Sequence, residues 1–163
     1  FLERLKPPML DLHGAQWTKG GGYTLRKDAR RFENWEFNIA GQIGLGVAVE
    51  YANALGQDAI HGRIVKLADM LRKSLSSVIG ITVHDIGHEK GGIVSFSTST
   101  MDPETLKLRL REQKINCWTS HTSSTRIDMT KRGLEWINRA SVHYYNTEDE
   151  VERFTAAVAG LVD

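Results

Sequence analysis

The chain has 163 residues, 40% of them hydrophobic and 25% charged, a composition that excludes a disordered or fibrous protein and allows one well-buried core. Twenty-one basic against twenty acidic side chains leave a net charge of +1, so no overall field exists for capturing nucleic acid or an anionic membrane surface. Cys117 is the single cysteine, which excludes an internal disulfide framework and suits a reducing, cytoplasmic setting, and no apolar run approaches the roughly 20 residues that span a bilayer.

The first forty residues hold little periodicity. Pro7-Pro8, Gly14 and Gly20-Gly21-Gly22 punctuate them, and residues 1–37 read as a loop-rich segment that is either functional or packs against something outside the chain. The opening Phe1-Leu2-Glu3-Arg4 is too charged for a signal peptide and lacks an initiator Met, as expected of a cut start. Residues 38–163 read as one domain. Asn38 is a good N-cap for a helix carrying Ala40, Ile43, Val47, Tyr51 and Leu55 on one face and ending near Gly56. Asp58 can cap a second helix, whose stripe runs through Ile60, Ile64, Leu67, Leu71, Leu75 and Val78 to a stop at Gly80. The period then changes to two: Ile81–His84 and Ile93–Ser97 read as a strand pair joined by a glycine-containing turn. Asp102-Pro103-Glu104 opens a third helix, with a cap, a proline at the first helical position and an early acid. Ile115–Trp118 reads as a short strand, Thr119–Thr130 as a polar loop, and Arg139–Tyr144 as a strand with Ala140, Val142 and Tyr144 on one face. Thr147 and Glu150 have capping-box spacing for a last helix with Val151, Phe154, Val158 and Leu161 as its core stripe. This order predicts an α+β domain, a mostly antiparallel sheet with helices packed on one face.

Most candidate motifs have bland explanations. Gly20-Gly21-Gly22 lacks the residues of a phosphate loop, and Gly41–Gly46 is not a dinucleotide fingerprint and follows no strand. His84 and His88 straddle a strand-to-turn junction that denies them a shared helix face, so no metal is expected. Cys117, beside Trp118 on an apolar stretch, reads as a buried inert thiol. Lys107, Arg109, Arg111 and Lys114 form a solvated helix face rather than a nucleic-acid stripe. Arg139 leads a strand, where a guanidinium is more often a surface charge but is also well placed as a bidentate carboxylate clamp.

Several separated segments together resemble one family. Arg31-Phe32-Glu33, Asn38 and Gly44–Tyr51 resemble the segment that follows the cofactor lysine in class V aminotransferases, the family of pyridoxal-phosphate (PLP) enzymes that includes cysteine desulfurases. Gly91–Phe96 resembles a strand of that family's small domain, and Arg139–Glu148 its closing signature. The resemblance implies the carboxy-terminal small domain of a fold-type I PLP enzyme, a homodimer when intact, acting at the amino group or Cα of an amino-acid substrate as a transaminase, epimerase or lyase. It implies that Arg139 holds the substrate carboxylate, with Arg126 a candidate second contact. It also implies that the loop carrying Trp35, Glu36 and Asn38 reaches the partner subunit's active site. The Schiff-base lysine is expected upstream of Phe1, since Lys6, Lys19 and Lys27 do not match its surroundings; the chain alone is therefore expected to be inactive. Two departures from the desulfurase pattern stand out. Trp35-Glu36-Phe37 replaces a Gly-Thr-Pro whose threonine contacts the cofactor phosphate, and Ser123 stands where the nucleophilic cysteine is expected. On these grounds the chain is expected not to be a cysteine desulfurase and to lie nearer the isopenicillin-N-epimerase-like branch. The alternative is a non-catalytic binding or dimerisation module that keeps the small-domain fold.

Overall fold

The computed structural model describes residues 1–162; Asp163, the last residue of the expected second segment, lies outside the described residues. Contacts group the chain into two units, Phe1–Ala52 and Asn53–Asp163.

The first unit is more ordered than its sequence suggests. Strands β1 (Ala15–Trp17) and β2 (Tyr23–Leu25) pair antiparallel with Trp17 opposite Tyr23. Gly21, at φ +80°, supplies the left-handed residue of the turn between them. Two 3₁₀ turns, Leu2–Arg4 and Ala29–Phe32, flank the hairpin, the second capped by Asp28, which accepts from the Arg30 amide. Arg31 ties these pieces together. Its side chain is buried and donates to the carbonyls of Arg26 at 2.7 Å, Leu2 at 3.2 Å and Leu5 at 3.3 Å. Gly14 is required beside it, because a Cβ there would lie 2.8 Å from the Arg31 carbonyl oxygen. Helix α1 (Ile39–Leu55) starts where expected, with the Asn38 side chain accepting from the Gly41 amide at 2.8 Å. None of its residues is buried, although Ile43, Leu45, Val47 and Tyr51 are apolar or aromatic.

In the second unit, α2 (Gln57–Ser76) follows Gly56, which takes the cap position in place of Asp58 at φ +89°. Strands β3 (Ile81–Val83) and β4 (Ile93–Thr98), α3 (Pro103–Glu112), β5 (Trp118–His121), a short α4 (Arg126–Lys131), β6 (Trp136–Ser141) and α5 (Glu148–Val162) complete it. The four strands form one antiparallel sheet in the order β3-β4-β6-β5. Helices α2, α3 and α5 cover one face. Leu67, Leu71 and Leu75 of α2, Leu106 and Leu110 of α3, and Val151 and Val158 of α5 close over Val94, Phe96 and Ala140, and Phe154 meets Phe96 edge-on at 6.0 Å. The caps match their motifs: Asp102 accepts from the amides of Glu104 and Thr105, and Thr147 and Glu150 exchange both capping-box bonds.

Both late strands sit about three residues from their expected positions, for one reason: backbone pairing, not side-chain polarity, selects them. Trp118–His121 pairs with Arg139–Trp136, so the polar Thr119 and Ser120 are strand residues while Ile115 and Cys117 pack on the core before the strand starts. The β6 strand begins at Trp136 and ends at Ser141, so Tyr144 does not continue its face; instead the chain turns, with Asn146 accepting from the His143 amide at 2.8 Å.

A buried ion pair fixes the β3–β4 end of the sheet. Arg72 of α2 donates to Asp85 at 2.7 Å and to the carbonyls of Gly91 and Ile93, and Asp85 accepts from both the amide and the hydroxyl of Ser95. Burial pushes the Asp85 carboxyl up, but the Ser95 bonds and the Arg72 guanidinium outweigh it and leave it below its usual range. Asp85→Ala leaves the buried Arg72 with only the half-exposed Asp69 carboxylate, at 3.1 Å, as its counter-charge and removes the acceptor of the Ser95 amide, so we expect a loss of about 2–4 kcal/mol in urea unfolding, short of the full cost of an unpaired buried charge. Because the folded carboxyl is depressed, its contribution is present above the ordinary aspartate range and is lost as pH falls through the folded value. A wild-type midpoint in Asp85→Ala contradicts this.

Candidate active site

Side chains alternate across a strand, so in β6 the buried Asn138 and Ala140 face the helices and Arg139 faces away from them. Arg139 lies mid-strand rather than leading the strand as expected. Its register neighbours are Ser95 in β4 and Trp118 in β5, and it donates to the Ser120 hydroxyl at 3.3 Å. Among the described residues it makes no ion pair, so most of its N–H donors are free for a planar oxyanion.

Next to Ser95 lies an open depression of about 260 Å³ whose lining includes His84, Lys90, Ser95 and Arg132. His84 exchanges a hydrogen bond with Ser97 at 2.8 Å, and Arg132 donates to the His84 carbonyl. Burial, and secondarily the Arg132 charge, push the His84 imidazole below its ordinary value, which favours the neutral ring as a hydrogen-bonding group. On the other side of Arg139, Trp118 is exposed, and the Lys107 ammonium sits 4.9 Å from its ring centroid.

The remaining candidates fall in different surroundings. Arg126 opens α4 on the surface, and the nearby Asp128 carboxylate binds Arg132 at 3.0 Å. Ser123 lies in an exposed 3₁₀ turn just after β5, where its amide donates to the His121 ring at 3.2 Å. Cys117 is half-buried against the core, and burial pushes its thiol up to about 11. In the first unit, Trp35 is 64% exposed and Glu36 is exposed beside it, while Asn38 is used as the cap of α1. Glu36, an acid, does not fit a phosphate, whereas the Arg139 guanidinium has the donor geometry for a carboxylate. Sequence reasoning missed Ser95 and Ser120, the hydroxyls around Arg139, because a lone serine carries no signal until strand register places it. Among the described residues no group of three or more His, Cys, Asp or Glu side chains could hold a metal ion, and no helix is long and apolar enough to cross a membrane.

The sequence profile of aminotransferase class V matches residues 3–154. A probable cysteine desulfurase of Methanothermobacter thermautotrophicus is 34% identical over 134 residues, 80% of this chain and 34% of its own length. The apo cysteine desulfurase of Thermococcus onnurineus NA1 superposes with a TM-score of 0.82 at 27% identity, over 99% of this chain and 40% of that one. The Escherichia coli cysteine desulfurase CsdA gives 0.81 at 20% identity over 99% of this chain and 41% of that one, a likeness of fold. The chain belongs to the aminotransferase class V family, whose members depend on PLP. It spans about a third of the length of the Methanothermobacter protein.

These relatives overturn the expectation that the protein is not a cysteine desulfurase. That expectation weighed two local departures, Trp35-Glu36-Phe37 in an exposed loop and Ser123 in an exposed turn, against the whole scaffold, and over 99% of this chain the scaffold matches a desulfurase. They support the family at large and not the epimerase-like branch. For Cys117, a thiol held near 11 is on the order of a thousandth ionised at pH 8. Iodoacetamide labelling of the folded chain should therefore keep accelerating as pH rises past 9; a rate that levels off near pH 8.5 contradicts the burial argument.

Proposed function

We propose that this chain is the small-domain part of a homodimeric, cytoplasmic PLP enzyme of the cysteine desulfurase kind, acting on cysteine or a closely related amino acid. The observation that carries it is Arg139: a guanidinium fixed on a central strand, on the face away from the helices, with a hydroxyl partner and no carboxylate partner among the described residues. PLP supplies electron withdrawal from the substrate's Cα when it is bound. The chain's own part is to orient. Arg139 takes the α-carboxylate in two parallel N–H bonds, which fixes the direction of the bonds at Cα, and the Ser120 hydroxyl steadies the guanidinium from the side. The loop of Trp35 and Glu36, ending at Asn38, serves as an arm toward the partner subunit's active site, and Arg126 is a second contact for a polar substrate tail. The apolar surface that α1 leaves exposed supports a chain covered by the rest of a larger protein.

Two outcomes are expected. The chain by itself, mixed with PLP and L-cysteine, should release sulfide no faster than free PLP, because the groups assigned to it orient and do not activate. In the full-length enzyme, Arg139→Ala should cost on the order of 2–5 kcal/mol in kcat/KM, with Arg139→Lys between it and wild type because the planar fork is lost. A substrate analogue lacking the carboxylate should be nearly indifferent to both changes. Equal losses for the two substrates, with the fold confirmed by circular dichroism, would remove Arg139 from the site.

A further inference from the structure

Asp11 is hydrogen-bonded more elaborately than a turn residue needs. One carboxylate oxygen accepts from the His13 amide at 2.8 Å, the local bond of an Asx turn. The other accepts from the amide of Trp35 at 2.5 Å, 24 residues further along the chain. His13 holds the same loop from a second side: its Nε2 lies 3.2 Å from the Glu33 carboxylate, and its ring meets the Trp35 ring edge-on at 6.1 Å. The Trp35 and His13 amides together keep the Asp11 carboxyl below its usual range, so it is ionised at neutral pH. What the latch fixes is backbone. The side chains it leaves facing solvent are Trp35, Glu36 and Phe37, with the two aromatics 64% and 56% exposed. A turn that needed only local closure would use one oxygen. The second oxygen spends its bond on the attitude of a loop whose aromatic side chains stay mostly exposed.

We propose that Asp11 is a positioning residue that acts through the Trp35 amide to preset the Trp35–Glu36 arm for the partner subunit's substrate. This rests on the reading of that arm given above. Preorganisation is the physical content: a loop already ordered loses less conformational freedom when substrate arrives, so the latch lowers KM without touching the bonds that react.

The test uses the full-length dimer and L-cysteine. Asp11→Asn keeps the shape of the side chain but offers one oxygen to two amides that meet separate oxygens, so one bond is lost. We expect KM to rise about 3- to 10-fold, the value of one such hydrogen bond, with kcat close to wild type. Mixed dimers of an Asp11→Asn subunit with an Arg139→Ala subunit supply the decisive readout. Their live site has its clamp in the Asp11→Asn subunit and receives an intact arm from the other, so KM should return to the wild-type value at half the wild-type kcat. A mixed dimer that keeps the raised KM shows Asp11 acting within its own subunit and overturns the proposal. If Asp11→Asn does not fold, His13→Gln, which loosens the same loop from its other side, goes through the same comparison. Wild-type kinetics in a Trp35→Ala, Glu36→Gln double variant would overturn the arm itself and the proposal with it. A change in that double variant but none in Asp11→Asn would overturn the positioning role and leave the arm standing.

Discussion

Everything assigned to Arg139 depends on the register of one strand. β6 is paired on both edges, by β4 and by β5, and its side chains alternate between the helix-covered face and the face opposite. A slip of one residue would drive the Arg139 guanidinium among Phe96, Leu106 and Phe154 and put Ala140 outside, leaving an unpaired charge in the core. Asn138 adds to the lock: almost fully buried, it donates to the Pro103 carbonyl at 2.8 Å, a partner that only this register supplies. The geometry that makes a guanidinium useful to a substrate is thus the one that keeps it out of the hydrophobic core.

Two arginines with buried side chains do comparable work in the two units, and neither is a functional candidate. Arg72 gathers Asp85, Gly91 and Ile93, and so fixes the end of β4 that carries Ser95, the register neighbour of Arg139. Arg31 gathers three carbonyls, those of Leu2 and Leu5 at the first 3₁₀ turn and that of Arg26 just past β2. In each case a planar group with several donors binds carbonyls from separate stretches of chain at once, which gives the short segments around it a defined shape.

The correction over desulfurase chemistry shows how far local departures from a pattern can be trusted. Ser123 differs from the expected cysteine, yet it lies in an exposed turn, where substitutions leave the surrounding scaffold intact. Likeness to desulfurases extends over 99% of the chain, from the tied first segment to the last helix. Arguments from a side chain are strongest where the fold forces its environment, as at Arg139, and weakest on a surface turn.

The sequence by itself determined the elements with strong local signals. Asn38, Asp102 and the Thr147–Glu150 box mark three helix starts because caps act within four residues of chain, and the leucines of α2 mark its buried face because helical period is local. The α+β class followed from their order, and the family resemblance singled out Arg139. Tertiary structure decided the rest. Which polar residues of Thr119–Thr130 become strand depended on pairing with β6, a contact between positions 15 to 19 residues apart. That the first segment is tied rather than loose depended on Arg31 and Asp11 reaching partners 24 to 29 residues away, and no window of local sequence records such a bond.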